Sequence, residues 1–176
     1  PYKIYDLAKA KQMLAAAGYP EGKGLPVITL DVHAATKHRQ QGEFFKKCME
    51  DIGVTIKVVP NIFPELIKKM DQKKTMMHTL SWSSDYPDAD NFLQLFYKSD
   101  QSVGIGTNFN DATYNTLYEK AMVMQPSAAR TALYEQLNRI VAEQVPAIYA
   151  VHQVYPVLYH GWIKNYLWSN YGYGIE

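Results

Sequence analysis

Apolar residues recur at helical spacing at Leu7, Ala10, Leu14 and Ala17, which predicts a helix from Leu7 to about Ala17, capped by Asp6 and closed by Gly18. After a turn-rich connector over 21–26, Val27-Ile28-Thr29-Leu30-Asp31-Val32 is a run rich in β-branched residues and reads as a buried strand. A second helix is expected over 36–51, with Phe45, Cys48, Met49 and Ile52 on one face and Gly53 as its stop. The strand from Val54 to Val59 ends at Pro60, and a helix over 63–73 carries Pro64 in its first turn. Between Thr75 and Ser83, Met76, His78, Leu80 and Trp82 alternate with smaller or polar residues, the pattern of a strand with one apolar face. An acidic turn over 85–90, a short helix over 91–97 and a polar loop over 98–110 containing Gly104 and Gly106 follow. Two longer helices come next: 111–124, apolar at Tyr114, Leu117, Tyr118 and Ala121, and 127–143, apolar at Leu133, Leu137, Ile140 and Val141 with Ser127 as cap. Residues 147–151 and 155–159 read as two further short strands. The order β-α-β-α-β makes this an α/β chain, with helices flanking a mostly parallel sheet. Ligands of such sheets sit beyond the carboxyl ends of the strands, which directs attention to the residues after Val32 and after Trp82.

Composition narrows the function classes. Of 176 residues 47% are apolar and 13% aromatic, a globular balance rather than a disordered one. Eighteen basic against 17 acidic residues give a formal charge of +1, which argues against nucleic acid as a partner. No apolar run approaches the ~20 residues of a membrane span. Cys48 is the only cysteine, excluding an intrachain disulfide and a cysteine-based zinc cluster, though not fixing the redox compartment. The chain begins at Pro1 without Met or a signal segment, and the stretch from Tyr149 to Glu176 holds six Tyr against three in the first 80 residues. That aromatic end wants a surface to pack on, so a piece of a longer protein is expected; a complete small domain with an aromatic C-terminal region is the alternative.

The densest chemistry lies in Trp82-Ser83-Ser84-Asp85-Tyr86-Pro87-Asp88-Ala89-Asp90-Asn91-Phe92. A carboxylate at a strand exit can accept charge-assisted hydrogen bonds from an ammonium group, each contributing roughly 1.5–3 kcal/mol, with Trp82 as an apolar wall. The same residues also suit a plain turn, in which Asp85 ends the strand, Pro87 opens a helix and Asp88 with Asp90 complements its N-terminus. For Asp88 and Asp90 the turn role is favoured; for Asp85 the two readings stand level. No catalytic residue is assigned, since Asp85 and Asp88 lack a partner group specific to one reaction. The five histidines show no zincin spacing, so no metal site and no cofactor is expected; His33, just past a strand end, is the one to watch. Gly22-Lys23-Gly24 precedes a strand, whereas a dinucleotide fingerprint follows one, and there is no P-loop. The lysine pairs 46–47, 68–69 and 73–74 are expected on solvated helix faces or ends.

Several phrases together resemble one family. Tyr5-Asp6-Leu7-Ala8-Lys9-Ala10-Lys11, with Leu14 and Ala17-Gly18-Tyr19-Pro20-Glu21-Gly22, is similar to a landmark of the extracellular solute-binding proteins of bacterial ABC importers, peptide/nickel-binding class. Trp82-x-x-Asp85-Tyr86-Pro87-Asp88 with Asn91-Phe92 resembles that class's Trp-x-x-Asp-Tyr-x-Asp-Pro element, Ala89 standing where Pro is common. Gly106-Thr107-Asn108-Phe109-Asn110 and Val145-Pro146-Ala147-Ile148-Tyr149 match later landmarks, so the resemblance runs along the whole chain.

The resemblance implies a periplasmic-binding-protein-like lobe, with residues 1–150 clamping ligand and 151–176 returning toward a missing second lobe. It implies a non-enzymatic receptor for peptides that serves an ABC permease in the membrane, in the periplasm or outside the cell, soluble or lipid-anchored. It tips Asp85 toward accepting a peptide's α-ammonium group and Trp82 toward lining the cleft; Ser83, Tyr86 and His33 complete the candidate ligand-binding set. The alternatives are another solute on the same fold, an oligosaccharide or chelated nickel, or a carboxylate-dependent hydrolase.

Overall fold

The computed structural model of the chain describes residues 4–98, 107–152, 154 and 156–166. They fall into two units that divide between Ser81 and Trp82.

The first unit opens with helix α1 (Leu7–Ala16), whose start is fixed by the Asp6 carboxylate accepting the Lys9 N–H at 2.9 Å. It continues through β1 (Ile28–His33), α2 (Thr36–Glu50), β2 (Ile56–Asn61), α3 (Phe63–Asp71) and β3 (Met77–His78). The sheet has the order β2-β1-β3 and both pairings are parallel, as the alternation of strands and helices predicts. The central strand β1 buries Leu30, Asp31 and Val32 in succession, which explains its unbroken run of strand-forming residues. Leu30, Val32, Val54 and Ile56 form the core, against which Leu14 of α1 and Phe45 and Met49 of α2 pack. Pro60 lies inside β2 rather than ending it. β2 is the sheet's edge among the described residues and Asn61, the next residue, turns its carbonyl toward the β1 side to accept the Ala34 N–H, so Pro60 faces outward where no ladder N–H is needed.

Two expectations are corrected here. The strand over 75–83 contracts to Met77–His78, prolonged only by the Thr79 N–H to the Asp31 carbonyl at 3.0 Å. Met77, not Met76, packs on the core; Met76 is 56% exposed. The register sets Met77 opposite Leu30, and an offset of one residue exchanges the two faces of a strand.

Lys69 is not a solvated lysine. Asp31, 4% exposed, accepts from Lys69 Nζ at 3.1 Å and from Asn61 Nδ2 at 2.9 Å, while Lys69 Nζ also donates to Asn61 Oδ1 at 2.6 Å. This triad ties β1, β2 and α3 together around a buried charge. Lys69→Met strands that charge, and with Lys69 itself partly exposed the expected loss is about 2 kcal/mol, smaller than for a fully buried pair. Urea unfolding of the chain checks it; an unchanged midpoint would mean that Asn61 suffices.

The second unit is helical: α4 (Asp90–Leu93), a 3-10 turn (Gln94–Phe96), α5 (Ala112–Met122) and α6 (Ala128–Gln144). Tyr114, Tyr118 and Ala121 of α5 meet Leu133, Tyr134, Leu137 and Val141 of α6, with Leu93, Leu95 and Phe96 closing the core. These are the faces the helical spacing predicts, joined by Tyr134. Tyr114 is fully buried, and its hydroxyl is satisfied by donating to the Leu93 carbonyl at 2.6 Å. Asp111 caps α5 by accepting the Tyr114 N–H at 2.7 Å, and Ser127 caps α6 through the Arg130 N–H at 3.3 Å. Neither 147–151 nor 156–159 forms a strand. Ile148, Val151 and Leu158 are 57%, 70% and 94% exposed, and a strand needs a ladder partner that none of the described residues supplies. Tyr155, Trp168, Gly104 and Gly106 lie outside the described residues.

Candidate functional site

The acidic turn of the second unit is organised by Asn91, a residue that no local sequence pattern marks for the task. Asn91, in the first turn of α4, is 1% exposed. Its Oδ1 accepts from Trp82 Nε1 at 2.9 Å and from the Asp85 N–H at 3.2 Å, and its Nδ2 donates to Asp85 Oδ2 at 3.4 Å. Trp82 is half-buried, packed on the core of its unit. Asp85 is exposed, and its Oδ1 has no hydrogen-bond partner among the described residues. The carboxylate is therefore held by one long bond and leaves accepting capacity toward solvent. The only sequence signal for Asn91 was its place at the end of the Trp-to-Phe motif.

The neighbouring groups are committed to structure. Asp88 Oδ1 accepts the Asp90 N–H at 2.9 Å and the Tyr134 hydroxyl at 3.2 Å, and Oδ2 is paired with the Arg130 guanidinium. This bears out the turn role for Asp88 and adds a cross-link to α6, 42 residues away, that local sequence does not show. Arg130 is fixed in turn by donating from Nε to the Ala121 carbonyl at 3.2 Å and by lying over the Tyr134 ring. Tyr86, 40% exposed, donates its hydroxyl to Asp90 Oδ2 at 2.9 Å; burial and this bond push its hydroxyl above the ordinary 10.0. Burial pushes Tyr134 up to about 12, so it stays a donor throughout the physiological range. Ser83 is exposed.

The Asp90 N–H first, and the Arg130 guanidinium after it, hold the Asp88 carboxyl below its ordinary 3.8, and the Tyr114 N–H does the same for Asp111. A depressed native value means that the unfolded state takes up the proton first. The stabilisation is present above pH 3.8 and is lost as pH falls through the lower native values. Thermal melts at pH 7 and pH 3 are expected to show a steep acid loss that Arg130→Met reduces only in part, because the Asp90 N–H remains.

His33 belongs to the other unit, at the end of β1. It is half-buried and meets His38 and Phe63 edge-on, with centroids 5.4 and 6.1 Å apart. Burial, then His33 and Lys37, lowers His38 below 6.5 and favours its neutral form. A groove of about 520 Å³ between α2 and β2, lined by Thr36, Arg39, Gln40, Glu43, Val58 and Pro60, contains none of the candidate residues. Among the described residues no three His, Cys, Asp or Glu side chains gather as a metal site.

Comparison with known proteins decides the family. Residues 1–104 match the family model described as the middle region of bacterial extracellular solute-binding proteins, family 5. The chain belongs to that family. As a family 5 solute-binding protein it is 31% identical over 153 residues to di/tripeptide-binding protein 1 of Pseudomonas aeruginosa (strain UCBPP-PA14), covering 84% of the chain and 28% of that relative. It is 30% identical to heme-binding protein A of Haemophilus influenzae, covering 96% of the chain and 31% of that relative. Among solved structures it superposes with a TM-score of 0.70 on a periplasmic binding protein of Helicobacter pylori, DppA in complex with the peptide STSA, at 25% identity over 82% of this chain and 29% of that one. The periplasmic-binding-protein fold expected from the sequence is thereby shown. The chain spans about three tenths of the length of these curated relatives.

Proposed function

We propose that this chain is the ligand-clamping part of a peptide receptor that delivers its cargo to an ABC permease, with Asp85 accepting the peptide's α-ammonium group and Trp82 walling the same site. The observation that carries the reading is the Asp85 carboxylate: exposed, held by one 3.4 Å bond from Asn91, and free at its other oxygen among the described residues. Relatives named for di- and tripeptides, and a structural neighbour holding a tetrapeptide, support peptide as the ligand class. The exposed hydroxyl of Ser83 and the half-open ring of Tyr86 flank Asp85 in sequence and serve the ligand's first residue. His33 stands at the carboxyl end of β1, where ligands of parallel sheets gather, and is a further candidate contact.

In this reading residues 1–150 form one clamping lobe and 151–176 lead toward a second lobe elsewhere in the protein. The exposed apolar residues of 148–163 then find cover in the complete molecule. Closing two lobes over the ligand removes water from the ion pair and strengthens it. The receptor works in the periplasm or at the outer face of the membrane, free or lipid-anchored.

The reading is tested by denaturing mass spectrometry of whatever co-purifies with the full-length protein. Short peptides with free amino termini are the expected result. A haem with its Soret absorbance, in line with the name of the Haemophilus relative, or sugars without peptides would overturn the ligand class.

A further inference from the structure

We infer that Asn91 is a positioning residue that holds Trp82 and Asp85 as one preformed ligand-binding element; the inference rests on the reading of Asp85 as the ammonium acceptor. A single carboxamide touches both. One oxygen takes the Trp82 indole N–H and the Asp85 main-chain N–H, and the nitrogen reaches Asp85 Oδ2. Fixing the main chain and the side chain of Asp85 at once sets where the carboxylate stands and which oxygen stays open. The segment from Leu80 to Asp88 contains no helix or strand, so no backbone ladder performs this task. Rigid support for a binding group lowers the ordering cost at the moment of binding.

Asn91 can act as such a support because it is itself immobilised. It is 1% exposed in the first turn of α4, and the helix it belongs to is pinned two residues on, where the Leu93 carbonyl accepts the hydroxyl of the fully buried Tyr114 at 2.6 Å. On its other side Asp88 is tied to Arg130 and Tyr134 of α6. The turn is thus braced at both ends on the helical core, and Asn91 passes that rigidity to Trp82 and Asp85. A buried amide bonded to two groups of one proposed site is an expensive choice for a mere space-filler, since an apolar side chain fills space without needing partners.

A double-mutant cycle separates positioning from general structural damage. Calorimetry is run on the full-length protein with the dipeptide alanyl-alanine as probe, for wild type, Asp85→Ala, Asn91→Leu and the double variant, each checked by thermal unfolding. Asn91→Leu is expected to weaken binding at least tenfold in the wild-type background and by several-fold less once Asp85 is gone, the remainder being the lost support of Trp82. Equal losses in both backgrounds would make Asn91 a purely structural residue and overturn the inference. So would Asn91→Leu with full affinity while Asp85→Ala has lost its own. Full affinity of Asp85→Ala would instead sink the ammonium reading on which the inference stands. Should Asn91→Leu fail to fold, Asn91→Ser, which leaves room for a water at the two N–H groups, is put through the same cycle with the same criteria.

Discussion

Asp85→Ala in the full-length protein is expected to weaken binding of alanyl-alanine by about 2–5 kcal/mol, a loss of roughly 30-fold to several thousand-fold. Two effects add. On the proposed reading the variant removes the charge-assisted hydrogen bonds to the ligand's ammonium group, and it leaves that ammonium dehydrated in a closed cleft with nothing to neutralise it. The second effect dominates, because an unpaired charge out of water costs more than the bond itself was worth. Asp85→Asn, which keeps an acceptor but not the charge, should fall between wild type and Asp85→Ala. N-acetyl-alanyl-alanine, which has no ammonium group, should bind weakly to wild type and no worse to the variant. A pair left open to water would contribute less than about 1 kcal/mol, so the size of the loss also reports whether the site closes. Unchanged affinity for the free-amine dipeptide would remove Asp85 from the site.

What was legible in the sequence divides along the range of the forces involved. Helix starts are local events, and Asp6, Asp111 and Ser127 each cap the helix the spacing predicts. The apolar faces of α5 and α6 follow from a 3.6-residue period and are found buried as expected. The two long helices and the alternation that makes the sheet parallel were therefore readable, and the motif from Trp82 to Phe92 carried the family. Strands depend on distant partners, and here the reading faltered. The register that put Met77 on the core is set by Leu30, and the apolar segments over 147–159 signal a wish for burial without naming a partner. The same limit applied to charges. Lys69 and Asp31 are 38 residues apart, Arg130 and Asp88 are 42 apart, and no local pattern marks either pair. Asn91 escaped for a different reason: a lone Asn has many ordinary roles, and only its burial together with its three bonds sets this one apart.

A larger effect on stability is expected at a place where no side chain acts at all. The connector after α1 and the turn after α2 meet backbone to backbone: a Cβ on Gly22 would lie 1.8 Å from the Gly53 carbonyl oxygen, and one on Gly53 would lie 2.2 Å from the Glu21 carbonyl oxygen. Both glycines also hold positive φ, +74° and +86°, a region that costs other residues roughly 1–2 kcal/mol. Gly53→Ala must bear that strain and push two main-chain segments apart as well, with no flexible side chain to absorb the shift. The expected loss is about 3 kcal/mol or more, a large share of the ~5–15 kcal/mol that stabilises an ordinary domain. Gly18→Ala supplies the control, since Gly18 shares the positive φ, +93°, and has nothing within 4 Å of its Cβ position. It should lose only the conformational part. The difference between the two variants in urea unfolding isolates the collision, and equal losses would show that the two turns separate at little cost. The functional consequence follows from the chain path. The Gly53 turn leads into β2, whose register against β1 sets the Ile28–His33 strand in place, so a displaced turn disturbs the strand end that presents His33. Gly53→Ala should therefore weaken dipeptide binding together with the fold, whereas Asp85→Ala should weaken it with the fold intact.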